Sequence, residues 1–333
     1  MHPLKTRQYC LTLVLVGLAA VYARAQPSLF DSLYRCPEPP TLVLDTDWRA
    51  LQRNKQLKQY QPATVTVVVA GDSLRLAGKV RTRGNVRLQV CQYPSLKIKI
   101  KRAALRAAGF SELNDLKLVL QCNSSSVGEA YNQRERMVYG LHAIYSDYHH
   151  RTVALRLVAP AAGLQLESFA VEAEEQLATR YDARVLASDR ASTRGLERAH
   201  YVNMCLFNYL ILNTDWHVFN LHNVEFISPT GTTDLIAIPY DFDYAGFVGT
   251  HYAIPREDLR IASVYVARWL GKRVTADEIR QAAAHFRDRE AAALNYLSTH
   301  PALTKQVRRR VLRRFAEFSA LLRDEAALLR LIE

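Results

Sequence analysis

The chain has 333 residues, with 44 Lys and Arg against 32 Asp and Glu, a formal charge of +12 and an apolar fraction of 49%. That length allows one large domain or two lobes, and the basic surplus suits phosphates, nucleotides, anionic lipid or acidic protein. No aromatic-interleaved basic tract, zinc spacing or other nucleic-acid module accompanies the charge, which argues against a nucleic-acid partner.

Residues 1–25 read as an export signal. A basic start (Lys5, Arg7) leads into an apolar core from Cys10 to Val21, closed by Ala23-Arg24-Ala25 in the A-x-A cleavage pattern. The apolar core is short of the roughly 20 residues that a membrane-spanning helix needs, and no later stretch is apolar enough to cross a membrane. Cleavage after Ala25 removes Lys5, Arg7 and Arg24 and no acid, so the formal charge falls from +12 to +9. The expected location is outside the cytoplasm: periplasm, cell envelope or extracellular space. Disulfides persist there. Cys91 and Cys122 each border a strand-like run and can meet across a sheet, although the sequence leaves the pairing of Cys36, Cys91, Cys122 and Cys205 open.

From Thr41 to about Ala173 the chain is strand-rich. "TVTVVV" and "LRLAGKVRTRG" flank the turn signal "AGDS". In "LKIKIK", Leu96, Ile98 and Ile100 face one side and Lys97, Lys99 and Lys101 the other. "LKLVL", "TVALRLVA" and "LQLESFAVEA" are further strand candidates. One helix interrupts them: "YNQRERMVYGLHAIY" aligns Tyr131, Met137, Val138, Leu141, Ile144 and Tyr145 on one stripe, with Glu135 at its edge. "RTRGN", Arg81–Asn85, is a glycine turn between arginines, either a phosphate contact or a hairpin end.

From about Arg194 the pattern turns helical. "YVNMCLFNYLIL" is apolar nearly all round, a buried helix with Cys205 as a packed thiol. "EDLRIASVYVARWLG" reads as a helix capped at Gly271, and Thr275 with Glu278 makes a capping box for the next. The last segment repeats Val307, Val311, Phe315, Phe318 and Leu322 at helical spacing. The expected fold class is α+β, a two-lobe arrangement with a sheet-rich N-lobe and a helical C-lobe. Residues 26–40 form an N-terminal segment, 41–175 the N-lobe and 176–333 the C-lobe.

Two stretches carry candidate chemistry. "ILNTDWHVFNLHN" places Asp215 five residues before Asn220, and "IPYDFDYAG" places Asp241 and Asp243 after a strand. Phosphoryl transfer needs a carboxylate near the attacking hydroxyl and oxygen ligands for Mg²⁺. Protein kinases supply these as a catalytic-loop Asp, an Asn five residues on and a second Asp downstream. "NVEFIS" and "DLIAIPY" can form the hairpin that delivers Asp241. Asp215 and Asn220 could equally cap a helix and a turn. A Lys on the "LKIKIK" strand can hold phosphates with Glu135 as its acidic partner; the alternation puts Lys97, Lys99 and Lys101 on equal terms. No G-x-S-x-G elbow or H-E-x-x-H is present, and His149 and His150, adjacent on a presumed strand, point to opposite faces and make a poor metal pair.

"VRTRGN", "PSLKIKIK", "NTDWHVFN" and "IPYDFDYAG", in that order, resemble the CotH kinase family of atypical, kinase-like spore-coat and envelope proteins. The similarity covers about Thr41 to Tyr252, and N-x-D-x₄-N and P-Y-D-x-D are its most specific parts. It implies a diverged protein-kinase-like fold, ATP with Mg²⁺ (or Mn²⁺), and transfer of the γ-phosphate to a Ser, Thr or Tyr hydroxyl of a protein. It carries the catalytic Asp onto Asp215, the metal ligands onto Asn220 and Asp241 with Asp243, and the nucleotide lysine onto Lys97. Lys99, Arg83 and Glu135 are the other nucleotide-side candidates. Leu212 stands where family members often have Gly, and the first-lobe glycine turn is unlike a kinase Gly-rich loop. The alternative is a kinase-fold binding or structural protein of the envelope without turnover.

Overall fold

The computed structural model describes residues 26–186 and 191–333, so the expected signal at residues 1–25 lies outside the described residues. Backbone contacts divide the chain into two compact units: residues up to Gln121 with Val153–Val171, and Cys122–Thr152 with Glu172–Glu333.

The first unit is built on the alternation seen in the sequence. Its strands are β1 (Thr41–Asp45), β2 (Gln61–Val69), β3 (Asp72–Thr82), β4 (Leu96–Ile100), β5 (Asp115–Leu120), β6 (Thr152–Ala159) and β7 (Leu164–Val171). They close into a barrel in the order β1-β2-β3-β4-β5-β7-β6, with β1 parallel to β6 and antiparallel to β2. Closure removes the exposed edges an open sheet would carry. Leu42, Leu44, Val65, Val67, Leu76, Val80, Leu96, Ile98, Ile100, Leu116, Leu118 and Leu120 point inward into one cluster. Each such buried side chain contributes about 1.5–3 kcal/mol. A short helix, Leu29–Tyr34, adds Leu29, Phe30 and Leu33 to that core; Ser28 and Asp31 start it with a reciprocal capping box. The sheet of the expected N-lobe is thus a closed barrel rather than an open kinase-lobe sheet. "RTRGN" stands at the end of β3 where the β3–β4 hairpin opens into a long connection. Gly84, at φ 90, turns the chain from β3 into a short helix, Val86–Val90, whose Arg87 is buried.

The second unit is mainly helical, and the helix Ser126–Tyr145 belongs to it rather than to the sheet-rich half. Helices Arg198–Leu210, Ala276–Asp288, Glu290–Thr299 and Lys305–Leu321 join it, with a small sheet of β8 (Ala183–Val185), β9 (Val224–Pro229) and β10 (Ile236–Pro239) in the order β10-β9-β8. β9 and β10 form the expected antiparallel hairpin, Val224 opposite Pro239. The Thr275–Glu278 capping box is present, and Cys205 is a buried free thiol whose pKa burial pushes up to about 12. Residues 257–271 are not a helix. A 3₁₀ turn, Glu257–Leu259, ends at Arg260 with φ 49, and irregular chain follows. The β-branched Ile261, Val264 and Val266 are poor helix formers, and with Tyr265 and Val266 exposed there is no apolar face to bury.

An aromatic column runs through this unit. Phe318 meets Phe286 at 5.7 Å between centroids, Phe286 stacks on Tyr145 at 4.2 Å, and Tyr145 reaches Phe207 at 6.3 Å. Phe207 then meets Phe242 at 5.9 Å, and Phe242 meets Tyr139 edge-on at 4.8 Å. Phe242 follows Asp241, so the column ends at a candidate carboxylate.

Candidate active site

Asp215 lies in the loop that leaves the helix Arg198–Leu210. A ladder of asparagines builds the exit. Asn208 Nδ2 donates to the Met204 carbonyl at 2.9 Å, and Asn213 Nδ2 to Asn208 Oδ1 at 2.8 Å. The Asp215 N–H then donates to Asn213 Oδ1 at 3.1 Å. Asn208 and Asn213 are buried, so each bond satisfies a group that water cannot reach. Leu212 sits at φ 60, a left-handed conformation that explains the fitness of glycine at this position. Gly246 packs against the same turn: its N–H donates to the Leu212 carbonyl at 3.1 Å, and an added Cβ would lie 2.7 Å from the Val264 carbonyl oxygen.

The Asp215 carboxylate is held on both oxygens. His222 Nε2 lies 2.9 Å from Oδ1, and Asn223 Nδ2 donates to Oδ2 at 2.9 Å and to the Asp215 carbonyl at 2.8 Å. His217 and His222 exchange two backbone hydrogen bonds, closing a tight loop between them. Asn220 is at the exposed tip of that loop. Its backbone N–H donates to His217 Nδ1 at 3.3 Å, and its side chain makes no hydrogen bond among the described residues. The asparagine that meets Asp215 is Asn223, eight residues on.

Asp241 follows β10. The Tyr240 N–H donates to the Asn223 carbonyl at 3.1 Å, which ties the end of β10 to the Asp215 loop. Asp241 is at φ 59, and its N–H donates to the Tyr139 hydroxyl at 2.9 Å. Its half-buried carboxylate has no hydrogen bond or ion pair among the described residues. Asp243 is buried and accepts from the Tyr252 hydroxyl at 2.9 Å, while its carbonyl accepts from Thr250 Oγ1 at 2.8 Å. Asp243 thereby anchors the segment that follows.

The electrostatics join these groups. The hydrogen bond to Asp215 raises the His222 pKa against the opposing effect of burial, and the Asp215 and Asp241 charges add to the rise. Tyr244 is pushed up to about 12, first by burial and then by Asp243, Asp215 and Asp241. Three carboxylates therefore share one field.

Among the described residues no three His, Cys, Asp or Glu form a ready metal cage. Mg²⁺ does not require one; it binds through one or two carboxylates and substrate phosphates. The hard oxygens of Asp241 and the amide oxygen of Asn223 fit that ion.

The other candidates divide between the units. Lys97 and Lys99 project from β4 in the first unit and share Asp115, at 2.7 and 3.5 Å. Arg83 follows β3, its N–H donating to the Ser95 carbonyl at 2.8 Å. Glu135 is buried on the helix Ser126–Tyr145 of the second unit. His149 and His150 lie in irregular chain before β6 rather than in a strand; His150 is buried with Nε2 3.4 Å from Glu225. His222, Asn223 and Tyr139 were not singled out in the sequence. "LHN" sits in the quoted motif, but helical or kinase spacing gives no reason to prefer Asn223 over Asn220.

No protein-family model and no curated protein sequence matches the chain. Among solved structures it is similar to a Helicobacter pylori proinflammatory kinase, CtkA, with a TM-score of 0.42 and 9% identity over 71% of this chain and 94% of that one, a likeness too slight to assign a fold.

Proposed function

We propose that this protein is an exported, CotH-like atypical kinase that transfers the γ-phosphate of ATP to a hydroxyl of a protein. The observation that carries the reading is the pairing of two unlike carboxylates in one unit. Asp215 is held on both oxygens by His222 and Asn223, and the carboxylate of Asp241, two residues past the end of β10, has no hydrogen bond or ion pair among the described residues. The first arrangement suits a base that must keep a fixed orientation; the second suits a ligand waiting for a cation.

Asp215 orients the acceptor hydroxyl and takes its proton as its oxygen bonds to the γ-phosphorus, while the bond from that phosphorus to the bridging oxygen breaks and ADP leaves. Asp241 and Asn223 are the groups that would hold Mg²⁺, and Asp243 keeps the following segment in place through Thr250 and Tyr252. When bound, Mg²⁺ neutralises charge on the phosphates. Lys97, which pairs with Asp115, is the phosphate-side candidate of the first unit. Asn223 takes the part the sequence pattern gave to Asn220, because a ligand asparagine that also orients the catalytic carboxylate must touch it. Export is supported by the pattern of residues 1–25 and by Cys91 and Cys122, both disulfide-bonded.

The test is calorimetric titration of ATP with Mg²⁺ alongside transfer to protein, autophosphorylation included. Wild type should bind Mg²⁺-ATP and Asp241→Ala should not. Equal binding by the two would remove the nucleotide site and leave an envelope-binding protein.

A further inference from the structure

We infer that the outer face of the first unit's barrel carries a second anion site, a cavity for a compact ligand bearing several phosphate groups. The inference does not rest on the kinase reading. The cavity measures about 810 Å³ and is walled by Tyr60, Lys79, Lys99, Lys101 and Arg102, with Asp45 as its one carboxylate. That volume lies in the range that encloses small ligands, and it is too small for a nucleic-acid duplex or a folded partner.

The cations are placed at a cost. Lys79 on β3 stands directly opposite Lys99 on β4, and Arg81 opposite Lys97. Side chains in such pairs are near neighbours, and like charges there oppose sheet formation. Asp115 offsets part of this, but it serves Lys97 and Lys99 together. Lys79 lies over the Tyr60 ring, 4.7 Å from its centroid, and Arg81 is 5.2 Å from the same centroid. The ring thus holds Lys79 at the cavity wall. Ala63 and Gly78, paired across β2 and β3, keep the floor low. Lys101, just past β4, makes no side-chain ion pair or hydrogen bond among the described residues. A strand face that sets cations in register around a concavity is arranged for an anion. Ammonium groups, free to rotate as compact point charges, fit phosphate without demanding a planar partner.

The probe is inorganic tripolyphosphate, titrated calorimetrically into the full mature chain in chelator without Mg²⁺. Wild type should saturate at one site. Lys79→Glu and Lys101→Glu should each weaken binding by about ten-fold or more, the size expected when one close charge contact is reversed. Asp241→Ala should bind the probe as wild type does while losing Mg²⁺-ATP, which separates this site from the proposed nucleotide site. Lys79→Gln, with thermal melting of each variant, guards against loss of fold. The source of the phosphate is read with vesicles of 90% phosphatidylcholine and 10% phosphatidylinositol bisphosphate. Sedimentation that needs Lys79 and Lys101 assigns a lipid headgroup; tripolyphosphate binding without sedimentation assigns a free polyphosphate. No saturable binding, binding untouched by both charge reversals, or binding lost in Asp241→Ala would overturn the inference.

Discussion

The barrel unit and the helical unit use opposite means to fix a side chain. In the barrel, residues are positioned by repetition: Leu96, Ile98 and Ile100 go in, so Lys97 and Lys99 come out, and the register with β3 and β5 does the rest. In the helical unit the candidate residues are positioned by exceptions. Leu212, Leu221, Asn223 and Asp241 all adopt positive φ near the site, at 60, 51, 53 and 59. Non-glycine residues held this way cost on the order of 1–3 kcal/mol each and persist only where neighbours over-determine them. Here the neighbours are the asparagine ladder, the Tyr139 hydroxyl and the aromatic column ending at Phe242. The difference teaches where strain is tolerated: in loops that carry candidate chemistry, braced by a core that carries none.

The sharpest test of that contrast separates activity from stability. Asp215→Ala should lower phosphate transfer by about 10²-fold or more while leaving ATP affinity nearly unchanged, as expected on losing a positioned base. Asp241→Ala should abolish Mg²⁺-ATP binding and transfer together. Asp241→Ala should cost no more than about 1–3 kcal/mol, from alanine at φ 59, and Asp215→Ala a similar amount, from the acceptor taken away from His222 and Asn223. A large loss of stability in Asp241→Ala, measured by urea denaturation, would mean that the site braces the fold and would dissolve the contrast.

The barrel should behave in the reverse way. Ile98→Ala removes a fully buried side chain from the centre of β4 and should cost about 2–5 kcal/mol by urea denaturation. Asp215, Asn223 and Asp241 all lie on the other unit. The fraction of Ile98→Ala that remains folded should therefore show near-normal transfer per molecule when activity is normalised to folded protein. A fall in transfer well beyond the folded fraction would show that the chemistry depends on the barrel as well as on the helical unit.

What could be read in the sequence follows from the same contrast. Strict alternation marked β4, the runs quoted for β2, β3, β5, β6 and β7 marked them as strands without singling out β1, and a capping box marked the helix at Ala276. Closure of the sheet was not legible, because the pairing of β1 with β6 joins residues more than a hundred positions apart and leaves no local mark. The helix expected over 257–271 failed for a similar reason. An apolar count at helical spacing does not tell whether anything lies opposite to bury it, and Tyr265 and Val266 stay exposed. Asp215 and Asp241 were brought forward as candidates by spacing, and the hairpin between them formed as expected. Asn223 was not, since its placement depends on two left-handed residues, Leu221 and itself.

That substitution of Asn223 for Asn220 yields a sharper comparison within one loop. Asn223→Ala removes the donor to both the Asp215 carboxylate and its carbonyl, and puts alanine at φ 53. It should cost about 1–3 kcal/mol and lower transfer as well. Asn220→Ala, at the exposed tip, should stay within about 0.5 kcal/mol of wild type. If Asn220→Ala proves the more damaging to Mg²⁺-ATP binding, the spacing of the sequence motif outweighs the contacts, and the metal belongs to Asn220.

The smallest effect concerns pH. His222 has its pKa raised above the ordinary 6.5, chiefly by its hydrogen bond to Asp215. A group whose folded pKa lies above its unfolded value adds stability that is complete below the unfolded pKa and is lost as pH rises through the folded one. The His222–Asp215 pair should therefore stabilise the protein at pH 5.5–6 and fade above the folded pKa of His222. The imidazole is 47% exposed, so solvent screens the pair and its worth is about 0.2–1 kcal/mol, the range of exposed ion pairs. His222→Gln keeps a donor to Asp215 but cannot carry charge. The difference in unfolding free energy between wild type and His222→Gln should thus be largest near pH 5.5 and shrink towards pH 8. Deprotonation also frees Asp215 from a neighbouring positive charge, which makes it the better proton acceptor. Transfer by wild type should rise over the same interval, and His222→Gln should flatten that rise. A stability difference that grows with pH would mean that His222 is held neutral, with its hydrogen bond to Asp215 made by the uncharged ring.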